Sequence, residues 1–531
     1  MRKRWRRMAV LLGICSCVTA CGTEAQQEAG MESVPSVEGQ AGTETAANEM
    51  TTGDVTNKED GTVGTEDSEA EATKAPELPE GDWTKYQFDV TETYQTVEGF
   101  GAAYTWYSDW LYRTNDPEGA LDALFSDAKL TVLRFKNEYE YKAEDMAPNT
   151  FAMLQYFEGA KKRAAEYGED IKTLLCCWSP PASLKTDGNI TGAATLRKDA
   201  DGSYCYEEYA DWWAESIEYY ESYDIRIDYI CIQNEVEYAA DYDGCRFAPE
   251  ESEEYASFAK AYLAVYDELQ ERFGEDAPKM LGPETMSCKY KDIMPFIREI
   301  IETRPETLYG IAHHLYVGGD ADNDANTANP DSFMNSFMDL KEHFGEYSRW
   351  QTEYYVGQPL QTAMLINNAL IFEEVNTYLY WSGVWEDNSD LFETGYLLGC
   401  KYNKSDYVTE SGWRLTGDYY AMRHFSEFIR PGYIRVKAQS GNMDVRTSAY
   451  INPTGDEAVL VLINSTGEPL DYQIAAQNFT IVDSYAVQSV LPETSDAEYS
   501  LYQELGALGT ANTLTLPGES VTTIRLFGNG N

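Results

Sequence analysis

Residues 227–235 read Ile-Asp-Tyr-Ile-Cys-Ile-Gln-Asn-Glu, an apolar run that ends in three polar side chains. Amphipathic segments with helical periodicity lie on either side of it, at Tyr206–Tyr220 and Ser252–Phe273. A short apolar run between two longer helical segments is typical of a buried parallel strand in a β-α unit. We therefore expect a strand here, with its polar residues at the carboxyl end.

The same alternation runs from about Glu98 to His424. Eight parallel strands, each followed by a helix, predict a (β/α)8 TIM barrel over residues 97–431. The candidate strands are Val97–Ala102, Thr131–Asn137, Ile171–Trp178, Ile227–Glu235, Met280–Glu284, Tyr309–Tyr316, Arg349–Glu353 and Thr377–Trp381.

The last hundred residues change character. From Gly432 the chain alternates between apolar and polar residues, with turn signals between the runs. This pattern predicts an antiparallel β-sandwich domain over residues 432–531, and the strand-like residues 83–96 before the barrel are expected to pair with it. The candidate strands are Tyr433–Val436, Ala458–Ile463, Phe479–Val487 and Val521–Phe527.

The N-terminal residues have the layout of a signal peptide. Five basic residues precede an apolar run, Met8–Val18, that is too short to span a membrane. Val18-Thr19-Ala20-Cys21 resembles a bacterial lipobox, so we expect residues 1–20 to be removed and Cys21 to carry lipid. The alternative is an ordinary secretory signal with an incidental cysteine. Either way, the prediction is an extracytoplasmic protein, on the first interpretation a bacterial cell-surface lipoprotein.

The segment 21–82 is expected to be a disordered acidic linker. No Phe, Tyr or Trp occurs from Gly22 to Asp82, so it cannot bury enough apolar area to fold. Loss of the five basic residues of the signal peptide would move the formal charge from −50 to −55. That charge argues against a nucleic-acid partner and against adhesion to anionic lipid, which leaves the lipid chain as the only membrane anchor.

The cysteine and histidine patterns do not predict a metal site or a cofactor. Seven cysteines follow Cys21, without a Cys-x-x-Cys pair, and several lie in apolar runs typical of core residues. A Cys205–Cys245 bridge is possible in principle, but nothing in the pattern supports it. His313 and His314 are adjacent on a strand and should face opposite sides of it.

Two acids stand at the carboxyl ends of predicted strands, where barrel enzymes place their functional side chains. Glu235 ends the fourth strand and Glu353 ends the seventh. Glycoside hydrolysis requires such a pair, one carboxyl as proton donor and one as an ionised group facing the anomeric carbon. Asn234 carries an amide that can hold a sugar 2-hydroxyl, although a strand-end cap is the alternative interpretation.

Several segments in order along the chain resemble glycoside hydrolase family 30, in particular its bacterial glucuronoxylanases. The resemblance implies retention of anomeric configuration, with Glu235 as acid/base, Glu353 as nucleophile and carboxyls about 5 to 5.5 Å apart. It also implies a β-sandwich built from chain on both sides of the barrel. The segments are Glu98–Ala102, Trp178–Ala182, Ile232–Glu235, His314–Tyr316, Trp350–Tyr354 and His424–Gly432.

Aromatic residues near the strand ends are candidates for a sugar platform, since an aromatic face fits the C–H face of a pyranose. For Trp178 in particular, core packing is the competing interpretation. Tyr316 is also placed to hydrogen-bond the nucleophile. The candidates are Trp106, Trp178, Tyr316, Trp381 and Trp385.

One loop departs from the uronate-dependent members of the family, which place an Arg after strand eight to pair with the substrate carboxylate. Here residues 381–390 contain Glu386, Asp387 and Asp390 and no Arg. These acids would repel a uronate, unless the loop turns outward and Lys401 or Arg414 reaches the same pocket.

The resulting hypothesis is a retaining endo-β-1,4-xylanase, monomeric, acting on xylan without strict dependence on glucuronate. An alternative within the family is a β-1,6-glucanase, β-1,6-galactanase or β-glucosidase-like enzyme. A third possibility, from a different functional class, is a noncatalytic glycan-binding lipoprotein on a degenerate barrel. The presence of both carboxylates argues against the last.

Overall fold

The computed structural model describes most of the chain after residue 84. The predicted signal peptide, Cys21 and the linker lie outside the described residues, as do Asp390 and Lys401. The described ranges are 85–106, 108–141, 143–319, 329–387, 395–400, 410–442, 444–492, 500–509 and 512–530.

Eight parallel strands close into a barrel, which confirms the predicted fold class. Each strand pairs with the next along the chain, and the last returns to the first, with Thr377 opposite Gly99. After β1 (Lys85–Thr96), which belongs to the C-terminal domain, the barrel strands are β2 (Gly99–Tyr104), β3 (Val132–Lys136), β4 (Lys172–Cys176), β5 (Tyr229–Cys231), β6 (Lys279–Ser287), β7 (Gly310–Val317), β8 (Ser348–Glu353) and β9 (Thr377–Tyr380).

A helix follows each barrel strand. The helix predicted from Ser252 begins instead at Phe258, because the Ser257 hydroxyl caps it by accepting from the Lys260 backbone N–H. Across the described ranges, none of the helices is both long and apolar enough to cross a membrane. The helices are α1 (Pro117–Asp122), α2 (Ala143–Ala164), α3 (Tyr206–Glu221), α4 (Phe258–Phe273), α5 (Tyr290–Thr303), α6 (Met334–Phe344), α7 (Pro359–Asn368) and α8 (Gly417–Ser426).

The barrel interior is a packed core and not a channel. Val132, Leu174, Leu281 and Trp350 are among the buried side chains that fill it. At Gly101 the neighbouring strand approaches so closely that a Cβ would lie 1.9 Å from the Val132 carbonyl oxygen, so glycine is required there. The cysteines from Cys176 to Cys400 are all free and buried, as the sequence predicted, and Cys205 and Cys245 are not bridged.

The C-terminal strands form one hydrogen-bonded sheet of nine that encloses a second apolar core, which includes Phe88, Leu460 and Ile524. Strand β1 pairs antiparallel with β13 (Ile434–Ser440) and parallel with β16 (Leu470–Gln477), so it is part of this sheet. A small sheet of β10 (Val384–Glu386), β11 (Leu398–Cys400) and β12 (Trp413–Leu415) precedes α8. The other strands are β14 (Val445–Ile451), β15 (Glu457–Asn464), β17 (Phe479–Val490), β18 (Ser500–Gly506), β19 (Thr513–Leu516) and β20 (Ser520–Gly530).

A buried histidine joins the barrel to this sheet. His424 of α8 lies 2.9 Å from the hydroxyl of Thr523 in β20 and 2.8 Å from that of Ser489 in β17. Burial, with the nearby charge of Arg423, lowers the pKa of His424 to about 3, so the ring is neutral at physiological pH. The ring therefore holds the two domains together through neutral hydrogen bonds.

Candidate active site

The two predicted catalytic acids meet at the carboxyl end of the barrel. Glu235 follows β5, Glu353 is the last residue of β8, and each residue is only 5% exposed. Three atoms lie within 4.8 Å of one another: one carboxylate oxygen of each acid and one ring nitrogen of His314. The acids therefore face each other across one small space.

Glu235 is held in an uncommon backbone conformation. Its φ is +49°, in the left-handed region that side chains disfavour, and its N–H donates to the Glu284 carbonyl over 2.9 Å. Its carboxylate oxygens have different partners: Oε1 lies 3.1 Å from Nδ1 of His314, and Oε2 accepts from the Tyr242 hydroxyl over 3.2 Å. The side chain is thus fixed at both oxygens.

Glu353 is bound more tightly. Arg134 Nη1 donates to Oε2 over 2.7 Å, and the Tyr316 hydroxyl donates to Oε1 over 3.0 Å. Burial raises the pKa of Glu353 and Glu235 raises it further, whereas His314 and Arg134 oppose the shift. Both carboxylate oxygens have donors, and this arrangement suits a group that works in its ionised form.

Arg134 is the residue on which the site is built. It lies in β3 and is fully buried. Its Nε–H donates to Glu284 over 3.2 Å, and its Nη2 donates to Asn234 Oδ1 over 2.7 Å. Its guanidinium lies 4.6 Å from the centre of the Trp178 ring. Because Asn234 Oδ1 is occupied, its amide nitrogen is the group left to donate to a substrate. That orientation fits the predicted contact with a sugar hydroxyl.

His314 supplies a second positive charge. Burial alone would lower its pKa, but Glu353, Glu235 and Glu284 outweigh burial and raise the pKa to about 10. For Glu284, Arg134 and His314 outweigh burial in the other direction and lower the pKa. Two cations, Arg134 and His314, therefore face the three carboxyls of Glu235, Glu284 and Glu353.

A cavity of about 430 Å³ opens over these acids, and all five predicted aromatic residues line it. Neighbouring rings touch, with centroids 5.3 Å apart for Trp106 and Trp178, and 5.8 Å apart for Trp381 and Trp385. Trp178 is only 2% exposed, so it both packs in the core and lines the cavity floor. The lining residues are Trp106, Trp178, Glu235, Tyr238, Tyr242, Met286, Tyr316, Glu353, Trp381 and Trp385.

The sequence prediction missed several members of this site. Arg134 could have been found, because a lone arginine inside the apolar run Thr131–Asn137 needs a buried carboxylate partner. Glu284 ends a predicted strand, as Glu235 and Glu353 do, and it was passed over. His314 was considered only as a metal ligand. Tyr238, Tyr242 and Met286 carry no sequence signal of their own.

The loop after β9 was expected to place acids against the substrate, and the structure differs from this expectation. Asp387 is buried, and Arg414 donates to both of its oxygens, over 2.5 and 2.8 Å. Neither Asp387 nor Glu386 is among the described residues that line the cavity. Asp387 therefore does not act as a free negative charge against a substrate, because its charge is already balanced inside the loop.

Two groups of described residues bring several metal-ligand types together: Glu235, His314 and Glu353, and the trio Cys176, Cys231 and Glu284. In the first group, His314 Nδ1 lies 3.1 Å from Oε1 of Glu235, and Arg134 donates to Glu353. In the second, Glu284 is already bonded to Arg134. The acids of both groups thus already contact charged side chains, and Cys176 Sγ lies 3.5 Å from Oε1 of Glu284.

Comparison with known proteins agrees with this architecture. Residues 433–524 match the glycosyl hydrolase family 30 beta sandwich domain. The "Putative glucosylceramidase 4" of Caenorhabditis elegans is 24% identical over 440 residues, 74% of this chain and 79% of that protein. Glucuronoxylanase XynC of Bacillus subtilis is 22% identical over 312 residues, 57% of this chain and 62% of its own.

Among solved structures, the catalytic domain of family 30 xylanase C from Talaromyces cellulolyticus superposes with a TM-score of 0.62 at 19% identity, covering 83% of this chain and 99% of that one. At this identity the likeness shows a shared fold. Residues 433–524 are therefore a family 30 beta sandwich domain, and the chain as a whole shares its barrel-and-sandwich fold with this family 30 xylanase.

Proposed function

We propose that this glycoside hydrolase cleaves β-linked polysaccharide with retention of configuration, using Glu235 as acid/base and Glu353 as nucleophile. The observation that carries the proposal is the approach of these two carboxylates to within 4.8 Å on one cavity. Retaining enzymes hold their carboxyls about 5 to 5.5 Å apart, whereas inverting enzymes need roughly 6.5 to 9.5 Å to admit a water.

In the first half-reaction, Glu235 gives its proton to the glycosidic oxygen as the bond between that oxygen and the anomeric carbon breaks. The electron pair of that bond goes to the oxygen, and an oxygen of Glu353 forms a bond to the anomeric carbon. Arg134 and Tyr316 hold the attacking carboxylate in place. Asn234 donates to the adjacent hydroxyl as positive charge develops on the ring.

In the second half-reaction, Glu235 is ionised and takes a proton from water, whose oxygen bonds to the anomeric carbon. The bond from that carbon to Glu353 breaks, which restores the free carboxylate. His314 lies beside Glu235 and stays positive through both steps, since its pKa is about 10. The positive ring stabilises Glu235 whenever it is ionised.

For the substrate we propose xylan, cleaved internally and without strict dependence on glucuronate branches. Among the described residues that line the cavity there is no Lys or Arg to pair with a uronate. Arg414 is already bonded to Asp387. This support differs from the repulsion expected from the sequence. It rests on the lack of Lys and Arg among the described lining residues, and not on the charge of Asp387.

A second candidate substrate is a β-glucoside. It is favoured by the length of the match to the Caenorhabditis elegans protein, which covers more of this chain than the match to the xylanase does. The aromatic rings that line the cavity beside the two acids are compatible with either sugar.

Product analysis on matched oligosaccharides tests the proposal. We expect linear and arabinose-bearing xylo-oligosaccharides to be cleaved internally, at least as fast as glucuronate-branched ones of equal length. Preferential cleavage of β-1,6-glucan, β-1,6-galactan or a β-glucoside would move the substrate to the second candidate or its relatives. Strict dependence on the uronate branch would contradict the uronate part of the proposal, and binding without any cleavage would contradict the enzyme itself.

We also propose that the enzyme works outside the cytoplasm and is anchored to the membrane by a lipid attached to Cys21. The lipobox-like residues before Cys21 and the aromatic-free linker after it support this arrangement. A linker of about 60 residues would let the barrel reach insoluble polysaccharide while the lipid stays in the membrane. The enzyme is expected to act there as a monomer.

A further inference from the structure

Glu235 makes one contact that the two-carboxylate chemistry does not require. The Tyr242 hydroxyl donates to Oε2 of Glu235 over 3.2 Å, while Oε1 is taken by His314. Because His314 occupies Oε1, Oε2 is the oxygen left to exchange a proton with substrate. Tyr242 therefore covers the oxygen that must do the chemistry.

Tyr242 also forms part of the cavity wall. The residue is 40% exposed, and its ring meets Trp106 edge-on at 6.2 Å and lies 6.4 Å from the ring of Tyr238. Tyr238 and Met286 line the same cavity. An acid/base must face the leaving group, so the wall beside Glu235 borders the leaving-group subsite.

The backbone under Tyr242 is firmly held. The Gly192 N–H donates to the Tyr242 carbonyl over 2.8 Å, and Asp243 pairs in a β-bridge with Thr191. The Asp243 carboxylate lies 2.5 Å from the amine of Lys136, which is itself only 4% exposed. The loop thus fixes the Cα of Tyr242 and leaves rotation of its side chain as the available movement.

We propose that Tyr242 is the positioning and specificity-determining residue of the leaving-group subsite. Its hydroxyl holds Oε2 of Glu235 in the free enzyme until the leaving sugar displaces it, and its ring then supports the C–H face of that pyranose. This inference rests on the acid/base role proposed for Glu235. It means that the leaving-group subsite binds a pyranose unit of the polymer.

The test compares a substrate with a leaving sugar to one without. Xylotetraose releases a sugar that needs both acid assistance and a subsite, whereas β-xylobiosyl fluoride releases fluoride, which needs neither. Because kcat/KM reports events only up to formation of the glycosyl-enzyme, the later role of Glu235 as base does not enter. If another oligosaccharide is the better substrate, the test uses that oligosaccharide in place of xylotetraose and its glycosyl fluoride in place of β-xylobiosyl fluoride.

For Tyr242→Ala we expect kcat/KM on xylotetraose to fall about tenfold, mainly through KM, the size of a lost ring contact of about 1.4 kcal/mol. Hydrolysis of the fluoride should stay within about twofold of the wild-type value. Tyr94→Ala is the matched control, because Tyr94 is equally exposed at 40% and lies in β1 of the C-terminal domain. It should leave both substrates unaffected.

Tyr242→Phe keeps the ring and removes the hydroxyl. It should restore KM on xylotetraose and move the basic limb of the kcat/KM profile to higher pH by about half a unit, since one donor to the ionised carboxylate is lost. The other charged groups around Glu235, which are His314, Glu353, Glu284 and Glu237, are the same in both proteins.

Equal losses on both substrates in Tyr242→Ala would overturn the inference, as would an unchanged KM or a Phe variant with the wild-type pH profile. If the wild-type protein cleaves neither kind of substrate, it is the proposed enzyme function that fails. The two failures are therefore distinguishable.

Discussion

Arg134 Nη1 lies 2.7 Å from Oε2 of Glu353, and both side chains are buried at the carboxyl end of the barrel. The same guanidinium also bonds to Glu284 and Asn234. One cation thus orients the proposed nucleophile and the amide that faces the sugar. Its planar group, with donors pointing in three directions, cannot be replaced by the point charge of a lysine.

We expect Arg134→Lys to lower kcat by about 10²-fold or more, with a smaller change in KM, because the charge remains while the orientation of Glu353 is lost. Arg134→Met should also lower the free energy of unfolding by about 3 to 5 kcal/mol, since it leaves buried carboxylates without their cation. Steady-state kinetics and thermal unfolding measure the two effects. Near-normal kcat in the Lys variant would show that Arg134 supplies charge alone.

Asp418, at the start of α8, provides a test of the fold outside the active site. Its side chain is buried and accepts from Thr362, and burial raises its pKa to about 7 from an ordinary 3.8. Between pH 3.8 and about 7, Asp418 therefore keeps its proton in the folded state and has lost it in the unfolded state. Stability from this group is present below pH 3.8 and decreases as pH rises to about 7.

Asp418→Asn should remove this loss of stability at high pH, because Asn carries no charge to bury. We expect little change in unfolding free energy near pH 4 and stabilisation by at most about 4 kcal/mol at pH 8, since each pKa unit corresponds to about 1.4 kcal/mol. Chemical denaturation at the two pH values measures the difference, with the exposed Asp483→Asn as control. A variant that is equally stabilised or destabilised at both would contradict the buried, protonated state.

The anchor prediction concerns residues before the described structure. Cys21→Ser should prevent lipidation and leave the protein either soluble or uncleaved, because no other apolar segment precedes the barrel after residue 20. Fractionation with labelled fatty acid measures this. Persistent membrane retention of a correctly cleaved Ser variant would indicate a different anchor.

The barrel could be predicted because its signal is local. Each apolar run is followed by its own helix, so the order of elements determines the topology, and the predicted strands differ from the observed ones by a few residues at their ends. The largest difference is at 227–235, where β5 ends at Cys231. There the chain leaves the sheet so that Glu235 can bond through its N–H to Glu284, a contact that local sequence does not encode.

The two acids could be located because strand ends converge at one face of a barrel. The residues around them could not, because Arg134, Glu284 and His314 come from β3, β6 and β7 and meet only after the barrel closes. The Asp387–Arg414 pair was missed for the same reason. It links the residue that follows β10 to Arg414 in β12, two positions that a count of charges along the sequence treats as independent.

The most direct test of the account is to trap the covalent intermediate. Glu235→Gln should react with 2,4-dinitrophenyl β-xylobioside, whose leaving group needs no acid, and then accumulate glycosyl-enzyme because no base activates water. Intact-protein and peptide mass spectrometry should place one xylobiosyl group on Glu353, and Glu353→Gln should gain none. Release of the phenol without any adduct, or an adduct on a residue other than Glu353, would contradict the proposed mechanism.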